Sequence, residues 1–238
     1  MIEICQGNLE DFFFQRIHHV RQRIEDACQR SGRKPDGVTL IAVTKTQPPE
    51  LIDPLISLGQ RDLGENRVQE MVTKAGLVKQ GARWHMIGHL QSNKVRKALG
   101  VADFIHSIDS VELARDVNRI AGELGRSVKI FLEVNVSGEA TKFGFKPVNL
   151  LSEAEEIISL RNLEPIGLMT MAPLAPQAEA SRPFFVALRE LRDRLQQQLA
   201  IALPYLSMGM SNDFEVAVEE GATHVRIGTA IFRQAEKK

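Results

Sequence analysis

VKIFLEVNVS, residues 128–137, alternates two kinds of side chain. In an extended chain Ile130, Leu132, Val134 and Val136 share one face, and Phe131, Glu133, Asn135 and Ser137 share the other. Just upstream, residues 110–124 carry Leu113, Val117, Ile120 and Leu124 at helical spacing, and Gly125 follows as a stop. A helix that leads into a strand is thus written into one short segment, and the unit recurs. Strands are expected at 38–45, 61–66, 82–89, 103–108, 164–172, 204–211 and 224–232. A helix at 182–199 has Phe185, Leu188, Leu191, Leu195 and Leu199 as its apolar stripe. About eight strands alternating with helices predict an α/β fold, a single-domain (β/α)8 TIM barrel over about 38–232. A leading helix is expected over about 9–30, with Phe13, Ile17, Val20, Ile24 and Cys28 on one side and Ser31-Gly32 as its end. The competing architecture is an open doubly wound sheet, but no G-x-G-x-x-G follows the first strand and no P-loop sequence occurs.

Composition narrows the function classes. The 238 residues are 43% hydrophobic and 25% charged, which suits one sizeable core. Lys+Arg and Asp+Glu balance at 30 each, so no overall charge draws the chain to nucleic acid or an anionic membrane. The two cysteines, Cys5 and Cys28, lack metal spacing and predict no disulfide framework. With no basic apolar leader and no run of membrane-spanning length, a cytoplasmic protein is expected.

In a barrel the aliphatic face of 128–137 meets the helices and the polar face lies inside. By the same parity, Val225 and Ile227 point outward while His224, Arg226 and Gly228 point in. An interior arginine keeps its charge and requires an acceptor or an anion. In LIAVTKT (40–46) the inward set is Ile41, Val43 and Lys45, which brings a lysine to the C-terminal mouth, where barrels place their chemistry. Partial desolvation there disfavours the ammonium form and makes a lysine a Schiff-base nucleophile. The plainer alternative is a lysine that reaches solvent or pairs with a carboxylate.

Two further turns bear on that choice. SMGMSND (207–213) and RIGTA (226–230) each place glycine and hydroxyl side chains just past strands seven and eight. Such turns can hold a phosphate, and in barrels these two loops frequently do; alone, each also reads as an ordinary turn with Ser211 or Asn212 as a helix cap. Together with Lys45 they predict a small ligand bearing an aldehyde and a phosphate. Pyridoxal 5'-phosphate (PLP) and a sugar phosphate both qualify.

The segments LIAVTKT, LGENRVQE, WHMIGHLQSNK, EVNVSGEATKFGF, GLMTMAP and LSMGMSNDFEVAVEEGATHVRIGTAIF, in this order, closely resemble the pyridoxal phosphate homeostasis protein family, single-domain relatives of the alanine racemase barrel. The resemblance runs from about Leu9 to Phe232. It implies a fold-type III PLP-binding barrel in which Lys45 holds the cofactor as an internal aldimine. It further implies that Ser211, Gly228 and Thr229 hold the phosphate, that Arg226 lies near the ring, and that Asn66, Met169, Ser207 and Met210 surround the pocket. The family usually continues IFG where this chain has Ile231-Phe232-Arg233, which leaves open whether Arg233 approaches the phosphate.

Racemase relatives add a β-rich second domain that supplies a tyrosine base. Here the one tyrosine, Tyr205, starts strand seven at the far end of the barrel. The expected role is therefore PLP homeostasis: buffering the cofactor and delivering it, transiently, to PLP-dependent apoenzymes, with indirect effects on amino-acid and keto-acid balance. The expected state is mainly monomer. An amino-acid racemase with an unassigned base, for which His89 is a nominee, and a Schiff-base sugar-phosphate aldolase are the alternatives. His85 and His89 are expected on one strand face, as structural or pocket-lining groups and not metal ligands. The basic run 91–100 is expected to be a solvated helix face, and LMTMAP to be pocket wall.

Overall fold

The computed structural model describes residues 6–78, 81–139 and 141–232. Eight parallel strands close into a barrel in sequence order: β1 (Thr39–Val43), β2 (Asp62–Glu65), β3 (Arg83–Met86), β4 (Phe104–Ile108), β5 (Val128–Glu133), β6 (Leu163–Met169), β7 (Tyr205–Met210) and β8 (His224–Ile227). The helices are α1 (Gln6–Arg30), α2 (Ile52–Ser57), α3 (Val68–Leu77), α4 (Val95–Leu99), α5 (Val111–Glu123), α6 (Leu150–Ile158), α7 (Arg182–Leu199), α8 (Phe214–Glu219) and α9 (Thr229–Phe232). The expected (β/α)8 barrel is present, with β8 paired to both β1 and β7.

The apolar stripes explain how the layers assemble. Phe13, Ile17, Val20, Ile24 and Cys28 of α1 are all buried, against α8 and α9. Each such side chain removed from water contributes about 1.5–3 kcal/mol before chain entropy is counted. The Arg23 guanidinium straps the same face through two bonds to Glu215, at 3.2 and 2.8 Å. Ser110 caps α5 by accepting the Leu113 N–H, and Leu113, Val117 and Ile120 are buried. Leu124, expected on that stripe, lies past the helix end and is exposed. Phe185, Leu188, Leu191 and Leu195 of α7 are buried, and Leu199 is half-buried.

Several strands end sooner than the pattern predicted. β5 stops at Glu133, because Asn135 turns its amide to the carbonyls of Glu139 and Lys142 and ties down the following loop. Asn135 and Ser137 therefore organise that loop and do not face the barrel interior. β8 stops at Ile227, since the Gly228 carbonyl accepts the N–H groups of Ile231 and Phe232 and starts a helix over 229–232. β1 stops at Val43, two residues short of Lys45. His89 likewise lies beyond β3 and not on one face with His85. Cys28 is buried and free, and Cys5 and Arg233 lie outside the described residues. Among the described residues no helix is long and apolar enough to cross a membrane.

Candidate functional site

A cavity of about 620 Å³ opens at the C-terminal ends of the strands, within the size range of small-molecule sites. Lys45 follows β1, Asn66 follows β2, Ser211 follows β7, and Gly228 and Thr229 follow β8; all of them line it, together with Met210. Because β7, β8 and β1 are neighbours, three successive strand ends bring the lysine beside both hydroxyl-bearing turns. Ser211 Oγ accepts the Ala230 N–H at 3.3 Å and so links those turns to each other. Lys45 is exposed, so the desolvation expected for it is not found.

Met169 and Ser207 do not line the cavity. Met169 packs with Phe131 and Ile166 inside the barrel, and Met171, two residues on, takes the place at the mouth. Ser207 is fully buried between His106 and Arg226. His89 lines the mouth, bonded to Asp109 at 2.9 Å and stacked on Phe143 with centroids 3.9 Å apart. His85 instead lies in the interior, so the two histidines take separate partners.

Gly88 sets how closely the β3 loop approaches Asn66. A methyl at position 88 would lie 2.3 Å from the Asn66 carbonyl oxygen and 2.7 Å from its Cα. Gly88→Ala is expected to displace Asn66 from the cavity wall and to cost about 1–3 kcal/mol, read by urea denaturation. An unchanged midpoint would show that the two loops separate freely.

Arg226 forms part of the cavity lining, and its guanidinium is anchored from inside the barrel. Nη1 donates to Ser207 Oγ at 2.7 Å and Nη2 to the Thr170 carbonyl at 2.8 Å. Burial lowers its pKa to about 10, opposed by the charges of Glu133 and Asp213, so it stays cationic at neutral pH. From Ser207 a hydrogen-bonded chain continues through His106 (2.8 Å) and His85 (2.9 Å) to Asp62 (3.0 Å). Burial pushes the Asp62 carboxyl up, but bonds from His85 and Arg83 overcome this and hold it below the usual range. Burial keeps both histidines neutral.

The hydrogen-bond roles then assign every proton. Ionised Asp62 accepts from His85 Nε2–H, His85 Nδ1 accepts from His106 Nε2–H, and His106 Nδ1 accepts the Ser207 hydroxyl proton. That leaves the Ser207 oxygen to accept from Arg226. All donors point one way, which fixes the arginine as a rigid donor. Asp62, His85 and His106 were not foreseen in this supporting role. Glu133 is a second unforeseen neighbour: burial and the Asp109 charge push its carboxyl up to about 7, against the pull of Arg226.

Residues 16–235 match the family model described as alanine racemase, N-terminal domain. The pyridoxal phosphate homeostasis protein of Aquifex aeolicus is 46% identical over 219 residues, covering 92% of this chain and 96% of that protein. The PipY protein of Synechococcus elongatus, solved with PLP bound, superposes with a TM-score of 0.82 at 40% identity, over 92% of this chain and 99% of that one. An alanine racemase of Clostridium difficile shares the fold alone, with 15% identity and a TM-score of 0.72, and 59% of its length is covered. By these matches, over most of its length, this chain belongs to the pyridoxal phosphate homeostasis protein family, built on the barrel of the alanine racemase N-terminal domain.

Proposed function

We propose that this protein binds PLP in the strand-end cavity, covalently through Lys45, and holds and hands on the cofactor without turning over an amino acid of its own. One observation carries the reading: three adjacent strand ends gather an amine, two hydroxyl-bearing turns and an anchored arginine around a single cavity. The donor set fits the cofactor. The Lys45 amine would condense with the aldehyde, forming the carbon–nitrogen double bond and releasing water. Ser211, Gly228 and Thr229 would take the phosphate, Arg226 would meet the ring as a cationic donor, and Asn66 and Met210 would flank it. Met169 and Ser207 would act from beneath, through packing and through the arginine. Bound PLP supplies an electron sink.

The carrier role is supported by the place of Tyr205. It begins β7 at the opposite end of the barrel from the cavity, beside His224 with ring centroids 5.1 Å apart, and so offers no base at the mouth. In this reading the barrel with α1 is the whole PLP-binding unit. It acts as a cytosolic monomer, and PLP-dependent apoenzymes are its transient partners.

The test is the absorption spectrum of PLP-loaded protein, followed by borohydride reduction and peptide mapping. The expected result is a visible band and, after reduction, a pyridoxyl group on Lys45, lost in Lys45→Ala. No adduct at Lys45 in saturated protein would remove the covalent reading. Stereospecific turnover of an amino acid by the pure protein would replace the carrier role with an enzymatic one.

A further inference from the structure

Lys45 stands between two peptide groups, and both are held by one helix. The Thr44 carbonyl accepts from Lys74 Nζ at 2.7 Å, and the Thr46 N–H donates to Glu70 Oε2 at 3.2 Å. Residues 70 and 74 lie one turn apart on α3, on the same face. Lys74 Nζ also donates to Glu65 Oε1 at 2.6 Å, and the Thr44 hydroxyl donates to that same oxygen at 2.6 Å. Lys74 is 4% exposed and Glu65 wholly buried, and Glu65 Oε2 has no hydrogen-bond partner among the described residues. Between these restraints Thr46 adopts φ +63°, a left-handed conformation that a β-branched residue keeps only when its surroundings enforce it.

We infer that Glu70 and Lys74 are positioning residues for Lys45, two prongs of α3 that fix the backbone on either side of the reactive amine. Plain adhesion of α3 to the barrel does not require this arrangement. Apolar side chains would join the two elements without burying an ammonium group or stranding a carboxylate oxygen. What the ionic set adds is direction: it grips the two peptide groups that bracket Lys45, just past the end of β1. A lysine with an exposed, long side chain gains most from such a grip, since a fixed backbone shortens the search of its amine for a bound aldehyde. Glu65, Glu70 and Lys74 of LGENRVQEMVTK thereby acquire a purpose that cavity lining does not give them.

The inference rests on the covalent role proposed for Lys45, and three measurements on the full chain separate the two. Glu70→Ala is expected to slow appearance of the Lys45 adduct on mixing with PLP by about tenfold. It is expected to leave the affinity for pyridoxine 5'-phosphate, which lacks the aldehyde, unchanged, and to speed hydrogen exchange at the Thr46 amide in ligand-free protein. Glu70→Gln, which retains an acceptor oxygen, should recover most of the rate. The paired change E65Q/K74M removes both buried charges together and should slow the adduct in the same way. Wild-type adduct kinetics in Glu70→Ala would overturn the inference. So would an equal loss of rate and of pyridoxine 5'-phosphate affinity, which would signify general damage to the cavity. If the wild type itself forms no adduct at Lys45, the covalent reading fails first and the inference with it.

Discussion

As the pH falls from about 6.5 toward 5 the free energy of unfolding should fall, with a slope that steepens to at most about 3 kcal/mol per pH unit. His85, His106 and His224 are buried as neutral rings; burial lowers all three, His106 well below its ordinary value and His224 to about 3. In the unfolded chain each takes a proton near pH 6.5. Groups depressed in this way stabilise the fold above their unfolded pKa and lose that contribution as pH falls. Glu133 works in the opposite sense: with its pKa raised to about 7, the fold retains a proton that the unfolded chain gives up above about 4.5. With all three rings neutral in the fold, three protons taken up on unfolding, less the one that Glu133 releases, set an upper limit of about two on the net uptake, each worth about 1.4 kcal/mol per pH unit; burial also pushes the Glu65 carboxyl up, which lowers the slope further. Urea denaturation at closely spaced pH values reads the slope directly. His224→Asn, which removes one of these protons from the balance, should make it shallower. A flat profile would mean that the interior histidines carry protons in the fold, and the one-way chain to Arg226 would then be wrong.

The same interior shows what a single sequence discloses and what it withholds. Strand parity identified which side chains enter the barrel, and Arg226, His224, Glu133 and Phe131 are buried there. Parity names a face but not a height along the axis. Met169 and Ser207 both point inward and yet lie below the cavity, whereas Met171 reaches its mouth. Nor does parity reveal partners. His106 and Ser207 are 101 residues apart and meet only because the barrel closes. Lys45 reaches the mouth as expected, and its exposure has a local cause: β1 ends at Val43, two residues before the expected end, and the left-handed Thr46 turns the chain just past the lysine. Leu124 kept the helical period but fell one residue past the end of α5. The turns after β7 and β8 were legible because glycine and hydroxyl residues recur at two successive strand ends, and both turns reach the cavity.

Phe131→Ala should cost about 3–5 kcal/mol at pH 8 and much less at pH 5.5. Phe131 is fully buried with Ile166 and Met169, stacked on His106 at 4.1 Å and edge-on to His224 at 5.2 Å. Truncation to alanine removes a ring's worth of apolar contact and leaves a void whose walls include two imidazoles. A polar void of that size admits water, unlike the dry cavities left in purely aliphatic cores. Hydration relieves the burial that keeps His106 and His224 neutral, so both pKa values should rise toward the ordinary histidine range. The variant then takes up fewer protons on unfolding, and its stability falls less steeply with acid than that of the wild type. Two denaturation curves, at pH 8 and pH 5.5, decide the matter: the gap between variant and wild type should narrow at the lower pH. A gap of equal size at both would mean that the void stays dry and that Phe131 contributes packing alone. A narrowing gap would identify this ring as the group that keeps water from the histidines and so preserves the proton order behind Arg226.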